Sequence, residues 1–261
     1  MFSLWKRGMA EMVGTGLLVL VGAGSATATG AILGPKGTFS MGDLLGISVA
    51  FGLVVTAMVY TIGKVSGCHI NPAVTFALAL TRRVPWKEVP VYWLSQYVGA
   101  TIGALLIWAA FPHWGDIGTW GMVQFKESGP GSISYLTAFA AEAVGTGILM
   151  FTVLGIVDSR APGDLAGLVI GFVVVSVILY LGPVTNAEIN PARGFGPDLV
   201  YSLINAKSVL WAQYLPVYLA GPFVGAGLAA FVYDFLAKPD KEVEPIKGAV
   251  ETTAHGHVPA S

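Results

Sequence analysis

Long blocks of almost uninterrupted apolar residues, separated by short polar stretches, dominate the chain. They run from about Met9 to Leu33, Leu44 to Ile62, Val89 to Phe111, Tyr135 to Val157, Leu165 to Leu181 and Leu210 to Leu236. A helix that crosses a bilayer needs roughly 20 apolar residues, so the pattern predicts six full spans. Barrel strands would show about ten residues of alternating polarity between turns. The blocks are continuous instead, and the predicted class is an all-α membrane protein. Lys6 and Arg7 ahead of the first block give it the look of a signal peptide. Its length and the five blocks that follow argue against cleavage.

Two shorter segments interrupt the pattern. Asn71-Pro72-Ala73 and Asn190-Pro191-Ala192 each follow loop-like sequence, and each is followed by too few apolar residues to cross a bilayer. Asparagine is favoured just before a helix, and proline at its first position has no N–H to lose. Each tripeptide therefore predicts the start of a half-helix inside the membrane. Such a start exposes unpaired N–H groups and the positive end of the helix dipole. That is tolerated only where the backbone lines a cavity or is buried in protein.

The chain also repeats itself. Ala10-Glu11-Met12-Val13-Gly14-Thr15-Gly16 recurs as Ala141-Glu142-Ala143-Val144-Gly145-Thr146-Gly147, and the two Asn-Pro-Ala motifs lie 119 positions apart. Each half has the order acidic span, second span, half-helix, third span. Three spans per half is an odd number, so the second half must enter from the opposite face. The expectation is an inverted repeat, about 8–112 and 134–237, within one channel domain of 1–237, with the half-helix starts meeting near the midplane. Small residues four apart, at Gly42 and Gly46, Gly99 and Gly103, Gly163, Gly167 and Gly171, and Gly221 and Gly225, predict close helix contact. Gly221-Pro222 predicts a kink or a tight start in the sixth span.

Composition agrees with the pattern, at 54% hydrophobic and 11% charged residues. Threading six spans places Lys6, Arg7, Lys64, Arg82, Arg83, Lys87, Arg160, Lys238, Lys241 and Lys247 on the side of the termini, and Lys36, Lys126 and Lys207 opposite. Both termini are thus expected in the cytoplasm of a cell-membrane protein. A net charge of -1 gives no reason to expect nucleic acid, and the single Cys68 excludes an intramolecular disulfide. Residues 238–261 are polar and charged, and read as a disordered cytoplasmic tail. His255 and His257 in that tail lack further ligands, so neither a metal nor a cofactor is expected.

The paired Asn-Pro-Ala motifs, Arg193 directly after the second, and the repeated Ala-Glu-x-Val-Gly-Thr-Gly resemble the aquaporin and glycerol-facilitator family over about residues 5 to 237. The filter pattern is similar to that of archaeal and some bacterial members. The resemblance implies six tilted spans with two re-entrant half-helices, a pore in each subunit and a homotetramer in the lipid bilayer. It also implies a selectivity constriction of four residues, here Phe51, Ile178, Ala187 and Arg193.

In such a pore Asn71 and Asn190 would cap their half-helices through the amide oxygen and turn N–H donors to the pore. A water accepting from both cannot accept from its neighbour, so proton hopping is interrupted. The two helix dipoles add a barrier to cations. Arg193, costly in a membrane, would donate to solute oxygens and repel cations. The segments Gly67, Cys68, His69 and Asn186, Ala187, Glu188 are expected to be extended, with carbonyls forming an acceptor ladder opposite an apolar wall. Glu11 and Glu142 need donors, and by resemblance brace the loops by accepting from loop N–H groups and from His69. Glu188 departs from the small or polar residue expected there. It is expected to point away from the pore and hydrogen-bond locally. Cys68 is expected to be a small packing residue, with access from the cytoplasmic vestibule as the alternative.

Water-selective relatives usually carry histidine at the position of Ile178, whereas glycerol facilitators tend to have glycine there and aspartate after the arginine. This chain has Ile178 and Gly194. The expected function is a passive water channel that excludes protons and ions and also admits small neutral solutes. A broad facilitator of glycerol, ammonia or hydrogen sulfide is the alternative. An ion-coupled transporter would need a carboxylate cluster beyond Glu11 and Glu142, and a nonconducting membrane protein stands as a further reading. No nucleophile with a nearby base points to an enzyme.

Overall fold

The computed structural model describes residues 2–113, 121–205 and 211–238. The expected tail from 239 onward, with His255 and His257, lies outside the described residues, as does Lys207. Among the described residues six helices are long and apolar enough to cross a membrane. They are α1 (Leu4–Leu33), α2 (Met41–Ser66), α4 (Trp86–Ala110), α5 (Tyr135–Ile156), α6 (Gly163–Thr185) and α8 (Tyr214–Ala237). Two short helices, α3 (Pro72–Leu80) and α7 (Pro191–Asn205), stand between the second and third span of each half. There is no strand among the described residues.

Local chemistry fixes where these helices start. Ser40 caps α2 in a reciprocal box with Asp43, and Ser134 accepts from the Thr137 N–H at the start of α5. Asn71 and Asn190 sit before the prolines that open α3 and α7, and their oxygens accept from the Ala73 and Ala192 N–H groups at 2.9 and 3.1 Å. Apolar periodicity alone underestimates several spans, because their ends carry polar caps and turns. Single π-helical turns at Val19–Ala23 and Tyr214–Leu219 also went unforeseen. The second lies just before Gly221-Pro222.

The halves pack alike. α1 lies on α4 and α2, and α5 lies on α8 and α6, while α2 meets α6 across the centre. Each half-helix packs on the third span of the other half, α3 on α8 and α7 on α4. Glycine makes these approaches possible. A Cβ at Gly99 would strike the Met12 carbonyl, one at Gly225 the Ala143 carbonyl, and one at Gly171 the Gly52 carbonyl. Gly42, Gly46 and Gly163 do not join such contacts: only Ser40 lies within 4 Å of the first and nothing lies within 4 Å of the others. The four-residue spacing is shared by contact faces and outward faces, so it does not separate them.

Ion pairs tie the loops at the end that carries the chain termini. Arg7 bridges to Glu88 at 2.6 Å and Arg83 to Asp234 at 3.0 Å. Arg160 and Tyr233 both reach the Asp158 carboxylate, holding it well below its ordinary pKa. At the other end the connector between the halves folds over α7. There Val123 donates to Asp198, Gln124 to Asn186, and Phe125 exchanges two hydrogen bonds with Gln213.

Candidate functional site

The two Asn-Pro-Ala motifs meet inside the bundle and are bonded to each other's loops. Asn71 Nδ2 donates to the Ile189 carbonyl and Asn190 Nδ2 to the Ile70 carbonyl, each at 2.8 Å. With the amide oxygen spent on its own helix, each amide keeps one N–H for the adjoining cavity, which both residues line. The crossed bonds fix the two half-helices tip to tip, with their positive ends facing one space.

The loops ahead of the half-helices are not extended as expected. Gly67 and Asn186 have φ of 92° and 64°, and positive φ recurs at Cys68 and Ile70 and at Ala187 and Ile189. The reason lies behind them. Glu11 accepts from the successive N–H groups of His69 and Ile70, at 2.9 and 2.6 Å, and from Ser66 at 2.6 Å. Glu142 repeats the arrangement with Glu188, Ile189 and Thr185 at 3.0, 2.7 and 2.6 Å. In an extended strand neighbouring N–H groups point to opposite faces. Turning both onto one carboxylate requires a kinked, nest-like backbone. Non-glycine residues with positive φ are costly, and the buried carboxylates over-determine them.

The His69 ring does not reach Glu11, contrary to expectation. Only its backbone N–H does, while Nδ1 lies 3.1 Å from Thr75 Oγ1. Gln96 donates to both Glu11 and Thr75, at 2.8 and 3.0 Å. Tyr92 and Tyr218 donate to the equivalent carbonyls of Ser66 and Thr185. Sequence reasoning missed these third-span partners. Their offset of 126 positions differs from the 119 of the motifs, so they align only when loop lengths are allowed to differ.

A cavity of about 390 Å³ runs beside the motifs. The loop residues Gly67, Cys68, His69, Ala187 and Glu188 border it on one side, and Val55, Val59, Leu149, Val153 and Val174 on another. At its terminus-bearing end lie Arg83 and Val84. A second cavity of about 550 Å³ opens toward the connector, with Ser40, Gly121 and Asn186 in its wall. Phe51, Ile178 and Arg193 border both cavities, so the two spaces meet at these residues. Ala187 borders the first.

Arg193 is buried, with its guanidinium carbon 5.1 Å from the Phe51 ring centroid and Nη1 3.3 Å from the Gly121 carbonyl. The connector thus supplies one of its anchors, a contact with no signal in the sequence. The Glu188 carboxyl group packs against Gly194, and the residue is 1% exposed. The local hydrogen bond expected of it is absent: neither carboxyl oxygen has a partner. Among the described residues no group of three or more His, Cys, Asp or Glu could hold a metal ion.

Comparison with known proteins agrees with this architecture. The family model described as major intrinsic protein matches residues 1–233. Aquaporin AqpM of Methanothermobacter marburgensis is 42% identical over 251 residues, covering 90% of this chain and 99% of that protein. Aquaporin NIP1-2 of Arabidopsis thaliana is 37% identical over 239 residues, covering 91% of this chain and 76% of that protein. The X-ray structure of the aquaglyceroporin from Plasmodium falciparum superposes with a TM-score of 0.80 at 25% identity, covering 90% of this chain and 97% of that one.

Proposed function

The chain belongs to the major intrinsic protein family, and from that premise we propose that it is a passive transmembrane channel conducting water and excluding protons and ions. The observation that carries the proposal is the crossed pair of asparagine amides beside a cavity with loop backbone on one side and aliphatic side chains on another. A water between the amides accepts from Asn71 and Asn190. It then has no free lone pair for its neighbour, which breaks a proton wire. The carbonyls of Gly67, Cys68, His69, Asn186, Ala187 and Glu188 replace part of the hydration shell, and the aliphatic wall holds water loosely. Glu11 and Glu142 brace this backbone from behind.

Phe51, Ile178, Ala187 and Arg193 form the selectivity filter in this reading. The meeting of two cavities at three of them supports it. Ile178 offers no donor and Ala187 little bulk, so small neutral solutes such as ammonia, hydrogen sulfide and, slowly, glycerol pass as well. Basic residues gathered at the terminus-bearing end support cytoplasmic termini in the cell membrane. Exposed apolar side chains such as Leu53, Leu136, Phe172 and Phe235 support contact with lipid. Family membership supports a homotetramer, and the matched packing of the two halves supports an inverted repeat of about 8–112 and 134–237.

Stopped-flow light scattering of proteoliposomes tests the solute range. Under an impermeant osmolyte, vesicles should shrink much faster than empty ones. Under glycerol they should recover slowly. Recovery as fast as shrinkage would make the protein a broad solute facilitator, and shrinkage at the rate of empty vesicles would refute the channel.

A further inference from the structure

Three glutamates lie within the membrane-embedded part of the fold, and their partners decide their charge. Glu11 receives four hydrogen bonds and Glu142 three. Glu188, equally buried, receives none at either carboxyl oxygen. Donors aimed at a carboxylate stabilise its ionised form, and a buried carboxylate without them is strongly disfavoured.

The repeat shows which partners the second half lacks. Position 188 corresponds to His69 and position 194 to Thr75, the residue that pairs with the His69 ring. Gly194 takes the place of that threonine, and a Cβ on it would collide with the Glu188 carboxyl group. The Gly194 N–H is spent on the Asn190 carbonyl at 3.1 Å. By the register of Tyr92 and Tyr218, Gln96 corresponds to Pro222, which has no side-chain donor. Gly194 thus seats the Glu188 side chain, and its N–H, directed to the Asn190 carbonyl, acts only weakly on the carboxyl group.

The charged groups that act on Glu188 are Glu142 from α5 and Arg193 and Asp198 from α7, with the phenols of Tyr97 from α4 and Tyr214 and Tyr218 from α8 around them. Tyr214 and Tyr218 donate to the carbonyls of Pro191 and Thr185. Asp198 accepts from Val123 through one oxygen, and its other oxygen has no partner. No ion pair joins Arg193 to a carboxylate among the described residues.

We infer that Glu188 is a proton-binding site beside the pore constriction, held as a neutral carboxylic acid so that it adds no negative charge next to Arg193. The inference rests on the reading of Arg193 as the cation-excluding member of the filter. When the proton leaves, a negative charge appears beside that arginine, and cation exclusion weakens.

Infrared spectroscopy of the full-length protein in proteoliposomes, in light and heavy water, reads the carbonyl stretch of a buried protonated acid independently of permeation. At neutral pH wild type should show this band, Asp198→Asn should retain it, and Glu188→Gln added to Asp198→Asn should lose it. Carbon-13 labelling of glutamate in Asp198→Asn should shift it, which keeps the test decisive if the double variant does not fold. A missing band in wild type, one that survives in the double variant, one lost in Asp198→Asn, or one unmoved by labelling would overturn the assignment. In the same vesicles potassium leak should rise several-fold as pH is raised for wild type and stay flat for Glu188→Gln. A flat response in both would overturn the link to Arg193. Absence of water flow would instead count against the pore itself and leave the infrared result standing.

Discussion

At the scale of single residues, the account turns on which polar atoms are partnered. Replacing Glu11 or Glu142 by alanine strands two successive backbone N–H groups and a hydroxyl in each loop. Each orphaned donor costs about 1–3 kcal/mol. Thermal unfolding in detergent should therefore show a loss of at least about 3 kcal/mol in each variant, and an unchanged midpoint would refute the bracing role. Ile178→His adds a donor and bulk where the two cavities meet. Glycerol recovery should slow about tenfold relative to water flow, equivalent to about 1.4 kcal/mol, and an unchanged ratio would remove Ile178 from the filter. Arg193→Ala removes a buried cation packed on Phe51, and potassium leak should climb well above that of empty vesicles while water still flows.

At the scale of elements, packing separates glycines that the sequence treats alike. Gly99→Ala pushes a methyl group into the Met12 carbonyl, whereas Gly46 has nothing within 4 Å. The first should destabilise by about 1–3 kcal/mol. The second should be neutral or stabilise by about 0.5–1 kcal/mol through helix propensity. Equal effects on the unfolding temperature would contradict the α1–α4 contact. The spans and half-helix starts were legible in the sequence because length, apolar content and the Asn-Pro signal are local properties. The kinked loops were not, because the carboxylates that impose positive φ on Ile70 and Ile189 lie 59 and 47 residues away in the chain. The π-turns likewise depend on neighbours, and nothing in Val19–Ala23 or Tyr214–Leu219 announces them.

At the scale of the molecule, duplication builds one shared space from two incomplete halves. Each half-helix packs on the third span of the other half, and each asparagine bonds to the other half's loop. The sequence announced this meeting through its paired motifs, and the resemblance supplied four candidate filter positions. It gave no hint of Gly121 beside Arg193, because the connector reaches the site only through tertiary contacts with Asp198, Asn186 and Gln213. The halves also differ where function would be tuned, with His69, Thr75 and Gln96 facing Glu188, Gly194 and Pro222. The central claim is that water passes the crossed amides while protons do not. Its most direct test records vesicle shrinkage and the signal of an entrapped pH dye together, under an osmotic and a proton gradient. The account predicts rapid shrinkage with proton entry no faster than in empty vesicles. Proton entry that rises in step with water flow would contradict it.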